Sequence, residues 1–247
     1  MNQNQAQNQN LKIALIGNGK TGSKVQEMIL SEPGKYSLIG PFNSRNRVED
    51  NLHLLADADV IIVFVPGSAV DGLIPHLMKL KKIVIWGSTG YKWEEKVSTL
   101  NESLINAGVV WIYAYNFSLM MNMIKELMTV SKKFLPLFDV SISIKEIHHI
   151  HKKDAPSGTA LMWRDWLLQE NTNIKIESVR EGDVVGIHEL TIESENERIQ
   201  IIHQSKDRKL FAEGALWCAL FATKSKLNKN CNAGLLSFNQ FVLQILK

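Results

Sequence analysis

The densest reactive chemistry in the chain runs Glu146-Ile147-His148-His149-Ile150-His151-Lys152-Lys153-Asp154-Ala155-Pro156-Ser157-Gly158-Thr159-Ala160. Imidazoles exchange protons near neutral pH and lysine supplies positive charge. A helix starting at Ser157 would point the free N–H groups of Ser157, Gly158 and Thr159 at whatever sits in front, with hydroxyls beside them. Such a cradle suits a carboxylate or a phosphate. The same residues admit plainer roles. Ser157 can be an N-cap after a proline turn, the histidines can sit on an exposed edge strand, or His149 and His151 can hold a metal from one strand face. Strand alternation places His148 opposite His149, so the three cannot share one metal without a bulge, and neither a cysteine nor a well-spaced acidic cluster completes such a site.

A second signal lies near the start, where Gly17-Asn18-Gly19-Lys20-Thr21-Gly22 matches Gly-x-Gly-x-x-Gly. It follows an apolar run, Lys12 to Gly17, and precedes a segment with helical spacing. In that setting the glycines allow a tight turn and close approach to a pyrophosphate, which the helix N-terminus then binds. Dinucleotide sites selective for NAD carry an acidic residue at the end of the second strand. Here Gly40 to Arg47 contains none, whereas Arg45 or Arg47 can pair with a 2′-phosphate. The cofactor expected is therefore NADPH or NADH, with NADPH favoured.

The elements that must position these groups are read from periodicity. Apolar runs at 12–17, 36–40, 59–65, 82–86 and 109–113 alternate with helical segments at 21–31, 69–81 and 91–107, which predicts a doubly wound parallel sheet of Rossmann type. From 118 the rhythm changes. A helix over 118–135, an alternating strand over 141–150, a helix from 157 and strands within 183–205 predict an α+β domain. Helical periodicity returns at 211–222 and 234–246. The expected architecture is a dinucleotide-binding domain of residues 11–117 with 209–247, and a substrate-binding and oligomerisation domain of residues 118–208.

Composition narrows the setting. Of 247 residues, 45% are apolar and 21% charged, as in ordinary globular chains, and no apolar run approaches membrane-spanning length. The net charge of +3 is too small and dispersed to argue for nucleic acid. Residues 1–10, almost all Asn and Gln, lack the features of a secretion signal and read as a disordered leader. Cys218 and Cys231 show no zinc or disulfide spacing, so a reducing cytoplasm is the expected location.

The segment His148-His149-x-x-Lys152-x-Asp154-Ala155-Pro156-Ser157-Gly158-Thr159-Ala160 resembles the signature of the 4-hydroxy-tetrahydrodipicolinate (dihydrodipicolinate) reductase family. Further similarities follow in order along the chain: the glycine motif, Gly87-Ser88-Thr89-Gly90, Ala114-Tyr115-Asn116-Phe117-Ser118, Val184-Val185-Gly186-Ile187-His188, Arg208 with Phe211-Ala212-x-Gly214-Ala215, and Gly234-Leu235. The resemblance implies hydride transfer from NAD(P)H to a small cyclic dicarboxylate, in diaminopimelate and lysine biosynthesis, by a homotetramer. It implies proton transfer at His148 and Lys152, and substrate carboxylates at His149, Ser157, Gly158 and Thr159. Cofactor contacts fall at Gly17 to Gly22, Arg45, Gly87 to Thr89, Ala114 to Phe117, Arg208 and Phe211, with no metal. Tyr115, Ser88, Ile187 and Glu213 depart from the family's usual proline, threonine, aspartate and asparagine. Rival readings are another Rossmann dehydrogenase acting on an amino-acid-derived imine or carbonyl, a non-catalytic nicotinamide sensor, and a metal-dependent hydrolase.

Overall fold

The computed structural model of the protein describes residues 10–169, 173–227 and 232–246. The expected leader falls outside them except for exposed Asn10, whose side-chain amide donates to the carbonyl of Pro33. Cys231 falls outside them too, while Cys218 is buried in the core. Two compact units emerge, Met1–Ser118 with Lys209–Lys247 and Leu119–Arg208. Among the described residues no helix is long and apolar enough to cross a membrane.

The first unit begins β1 (Leu11–Ile16), α1 (Lys20–Ser31), β2 (Tyr36–Phe42), α2 (Leu52–Ala56), β3 (Val60–Val63), α3 (Val70–Leu80), β4 (Ile83–Trp86), α4 (Trp93–Ala107) and β5 (Val110–Tyr113). The second unit holds α5 (Leu119–Phe134), β6 (Ser141–His148), α6 (Gly158–Leu167), β7 (Ile174–Arg180), β8 (Gly186–Glu193) and β9 (Arg198–Ser205). The chain then completes the first unit with α7 (Lys209–Leu227), β10 (Gly234–Ser237) and α8 (Phe238–Ile245).

The first sheet is wholly parallel, in the order β10-β5-β4-β3-β1-β2. Buried on both faces, its central strands are continuous apolar runs, as in Val60–Val63. Ile13 and Leu15 enter one core with residues of α1, α7 and α8. Ala14 and Ile16 enter the other, where Trp86, Trp93 and Trp111 pack together. The order of strands reverses direction at β1, between β2 and β3. Ligands of open parallel sheets bind beyond the strand ends at such a switch point.

The expected helix over 234–246 is corrected by the structure. Gly234–Ser237 is a strand paired in parallel with β5, Gly234 opposite Val110, and the helix starts only at Phe238. A four-residue apolar run cannot be distinguished from a helix turn by spacing, and the open edge of β5 decides it. Ser237 then caps α8 through a reciprocal capping box with Gln240.

In the second unit a mixed sheet runs β7-β6-β8-β9, with β6 parallel to β7 and antiparallel to β8. Its core gathers Ile142 and Ile144 of β6 and Leu190 and Ile192 of β8 beneath Met121, Ile124 and Met128 of α5 and Trp163 and Leu167 of α6. The strand expected over 141–150 ends at His148. There the carbonyl of His148 accepts from the N–H of Glu181 and the N–H of His149 turns to the carbonyl of Val184, so 149–151 form a turn.

Candidate active site

The glycine motif takes the conformation its sequence context requires. Gly17 has φ +92°, and a Cβ there would lie 2.1 Å from the carbonyl oxygen of Phe64 at the end of β3. A Cβ on Gly22 would lie 2.1 Å from the carbonyl oxygen of Gly17. Only glycine permits β1, β3 and α1 to converge this closely. At this convergence opens a cavity of about 750 Å³, lined by Gly17, Asn18, Gly19, Asn43, Ser44, Arg47 and Phe64 to Pro66 among others. The first N–H groups of α1, those of Lys20, Thr21 and Gly22, have no partner within the helix. The cavity thus fits the phosphates of a dinucleotide at a helix N-terminus.

The two arginines of the β2 loop separate here. Arg47 lines the cavity, whereas Arg45 is exposed outside its lining, with its N–H held by the side chain of Asn43. Ser88 is fully buried and its hydroxyl has no partner among the described residues. Tyr115 is tied to the start of α4, its hydroxyl 2.7 Å from Glu94 and 2.9 Å from the carbonyl oxygen of Tyr91. The side chain of Asn116 accepts from the N–H of Ser118, and Phe117 is buried against Phe238. Gly87 follows β4, Thr89 and exposed Gly90 follow Ser88, Ala114 is buried, and Phe211 lies half-buried in the first turns of α7. Arg208, exposed, is the last residue of the second unit.

In the second unit the buried face of β6 carries Ile142, Ile144, Glu146 and His148 in strict alternation, so the apolar face ends in two ionisable groups. Register supplies their neighbours: Glu146 faces His188 on β8, His188 faces His203 on β9, and His148 faces Arg180 on β7. Glu146 is fully buried and both its oxygens are engaged. Oε1 accepts from Arg180 Nη2 at 2.9 Å and from the N–H of Ser157 at 3.2 Å. Oε2 makes a short hydrogen bond with His148 Nδ1. A buried carboxylate persists only when paired and hydrogen-bonded in this manner. Burial alone would raise its pKa, but Arg180, Ser178 and His148 hold it below the usual carboxylate range.

Burial lowers the pKa of His148 below its ordinary value; Glu146 works against this, while the charges of Lys152 and Arg180 add to it. Burial likewise pushes His188 down to about 3, so this ring is neutral at physiological pH. Ser157 Oγ accepts from the N–H of Ala160, as an N-cap does, and lies 3.1 Å from His188 Nε2. With its N–H on Glu146 and its hydroxyl on the cap and His188, Ser157 is part of the frame. The donors that α6 still presents are Gly158, which is exposed, and Thr159, which is half-buried.

Lys152 lies in the turn after β6, its ammonium bonded at 2.8 Å to both oxygens of Asp154. Arg180 also reaches this loop, donating to the carbonyls of Lys152 at 3.3 Å and Asp154 at 2.5 Å. His149 is half-buried, its ring 6.3 Å from that of His151. Spacing assigns no role to Glu146, which heads the reactive segment, or to Arg180 and His188. Glu146 and His188 stand on the alternating inward face of their strands, a signal available in the sequence; Arg180 lies on β7, whose alternation of polar residues is weak.

Among the described residues, the group able to offer three metal ligands is Glu146, His148 and His188, with ligand atoms within 4.8 Å of one another. It differs from the His149 and His151 pair weighed above. A divalent cation there would have to displace the Arg180 guanidinium from Glu146 or bear its charge at close range, and the set reads as a hydrogen-bonded acid–base cluster.

A glycine turn at the switch point of a parallel sheet, joined in one chain to a separate unit bearing a buried carboxylate–imidazole pair beside a lysine, defines a two-domain oxidoreductase of the Rossmann class. A family model described as "Dihydrodipicolinate reductase, C-terminus" matches residues 117–240. The 4-hydroxy-tetrahydrodipicolinate reductase of Christiangramia forsetii is 31% identical, over 85% of this chain and 91% of the relative. That of Campylobacter jejuni is 29% identical, over 94% of this chain and 99% of the relative. The chain belongs to the dihydrodipicolinate reductase family. Solved structures agree in fold. A dipicolinate-bound dihydrodipicolinate reductase from Paenisporosarcina matches with a TM-score of 0.73 at 16% identity, covering 94% of this chain and 99% of that one. An engineered D-amino acid dehydrogenase bound to NADP+ matches at 0.61 and 13% identity, covering 94% of each chain.

Proposed function

We propose that the protein reduces 4-hydroxy-tetrahydrodipicolinate to tetrahydrodipicolinate with loss of water, a step of diaminopimelate and lysine biosynthesis, using NADPH in preference to NADH. The observation that carries the reading is the Glu146–His148 pair beside Lys152 and the open start of α6, in a chain of this family. A cyclic dicarboxylate needs cations and helix N–H donors to bind, and ring reduction needs a proton as well as a hydride. Gly158, Thr159 and His149 hold the carboxylates, with Ser157 fixing the helix start beneath them. Lys152 neutralises a carboxylate and polarises the ring nitrogen. His148 delivers the proton from Nε2, because Nδ1 is engaged by Glu146. The glycine turn with Gly87 to Thr89, Ala114 to Phe117, Arg208 and Phe211 holds the nicotinamide cofactor, which supplies the hydride when bound.

The test is oxidation of NADPH, and separately NADH, followed by loss of reduced-nicotinamide absorbance with substrate freshly made by the enzymatic condensation of pyruvate and aspartate semialdehyde. Rapid substrate-dependent oxidation is expected, faster with NADPH. Binding of cofactor without turnover would sink the reading. Because Arg47 rather than Arg45 lines the cavity, Arg47→Ala is expected to erase the NADPH advantage by about tenfold while Arg45→Ala leaves it. Assembly into a homotetramer accords with the apolar side chains of Ile199 and Ile202 exposed on β9. Light scattering of the same preparation measures it, and a monomer would refute it.

A further inference from the structure

We propose that Glu146 is the positioning residue of His148, holding the imidazole in the tautomer that leaves Nε2 for the substrate, and that Arg180 locks this carboxylate to the loop carrying Lys152. The proposal rests on the reading of His148 as proton donor given above, and extends it to two residues outside the reacting groups.

The hydrogen-bond inventory determines the tautomer. A carboxylate only accepts, so a neutral His148 must place its single N–H on Nδ1 to satisfy Glu146 Oε2. Nε2 then carries a lone pair when the ring is neutral and an N–H when it is protonated, which is the cycle a proton donor needs. Glu146 cannot rotate away, because Oε1 is held by Arg180 Nη2 and by the N–H of Ser157. The same guanidinium holds the carbonyls of Lys152 and Asp154, so one side chain sets the imidazole and the ammonium loop in a common frame. Gly186 lets the ring lie where it does, since a Cβ there would sit 3.0 Å from Nε2. The charged and titratable groups facing His148 are Glu146 on its own strand, Arg180 on β7, His188 on β8 and Lys152 in the loop, the last paired with Asp154. Among the described residues, Glu146 is the one anion in direct contact with the ring.

Glu146→Gln turns this inventory into a test. The two donors at Oε1 demand the amide oxygen there, so the amide NH2 falls opposite His148 Nδ1 and forces the neutral ring to carry its proton on Nε2. Protonation would then set an N–H of His148 against the N–H of the amide. With selectively 15N-labelled histidine, His148 in the wild type is expected as the Nδ1–H tautomer, and in Glu146→Gln as the Nε2–H tautomer with its pKa moved to lower pH. This readout needs no substrate, so it stands even if the reaction assigned above is wrong. In the reductase assay, kcat of Glu146→Gln is expected to fall about 10- to 100-fold with KM nearly unchanged. The rate depends on protonated His148, so it falls as pH rises through the His148 pKa, and in the variant that fall begins at lower pH.

Glu146→Asp retains the anion and withdraws it by one methylene, so it is expected to restore the wild-type tautomer and part of kcat. If the glutamine variant does not fold, Glu146→Asp decides the question by itself, a lowered kcat with the wild-type tautomer being expected and full turnover overturning the proposal. An unchanged tautomer and pH profile in Glu146→Gln, or full turnover in both variants, overturns the proposal. A wild type that binds cofactor but reduces nothing overturns the assigned reaction instead.

Discussion

Alanine in place of Lys152 is expected to lower kcat for reduction of 4-hydroxy-tetrahydrodipicolinate by about three orders of magnitude, while leaving NADPH affinity and thermal stability near wild type. The partner of Lys152, Asp154, is 59% exposed, and an ion pair of that kind contributes about 0–1 kcal/mol to folding. The ammonium is therefore available to exchange Asp154 for a substrate carboxylate at small cost, and deleting it removes charge from the reacting ring without loosening the unit. His148→Ala is expected to depress turnover about 100-fold and to destabilise more, because it strips a donor from fully buried Glu146. Steady-state kinetics with a thermal melt on each variant separates the two effects. Wild-type turnover in either variant would show that the role given to that residue is wrong.

Gly17→Ala is expected to abolish measurable NADPH binding, a loss of at least about 100-fold, and to destabilise the first unit by about 3 kcal/mol. Two penalties coincide there. The backbone stands at φ +92°, which an L side chain rarely adopts, and the new Cβ would lie 2.1 Å from the Phe64 carbonyl oxygen. Relief requires β1 and β3 to part at the point where the cavity proposed for the nucleotide opens. Gly19→Ala provides the control, since a Cβ there meets nothing within 4 Å. It is expected to fold normally and to weaken the cofactor only by intruding on the cavity. Nucleotide titration with calorimetric melting reads both, and Gly17→Ala with ordinary affinity would remove the glycine turn from the cofactor site.

Much of this was legible from residues alone because local chemistry dictated it. The parallel strands are apolar runs that alternate with helical segments, and the glycines of Gly17 to Gly22 announce a tight turn at the start of a helix. The Pro156-Ser157-Gly158-Thr159 start of α6 is likewise local, since a serine N-cap needs only the three residues after it. Less could be read where a neighbour far along the chain makes the choice. Gly234–Ser237 is a strand because β5 has a free edge for it, and β7 forms because β6 pairs with it over seven residues despite its mixed exposure.

The division at the site follows the same physics. Residue types and spacing by themselves placed a glycine turn of the dinucleotide-binding pattern at the start of the chain, and concentrated imidazole, ammonium and helix-start donors between His148 and Thr159. Tertiary structure alone decided what each group touches there. Strand register brought Arg180 and His188 onto either side of Glu146 and His148, from positions over thirty residues further along the chain. It drew the N–H and hydroxyl of Ser157 into the frame, and it set Arg47, not Arg45, in the lining of the cavity at the glycine turn. Hydrogen bonds and charge pairing act over a few ångströms of space, whatever the separation in sequence. A motif can therefore name the groups, but only the fold can assign a buried carboxylate to one particular nitrogen of one imidazole.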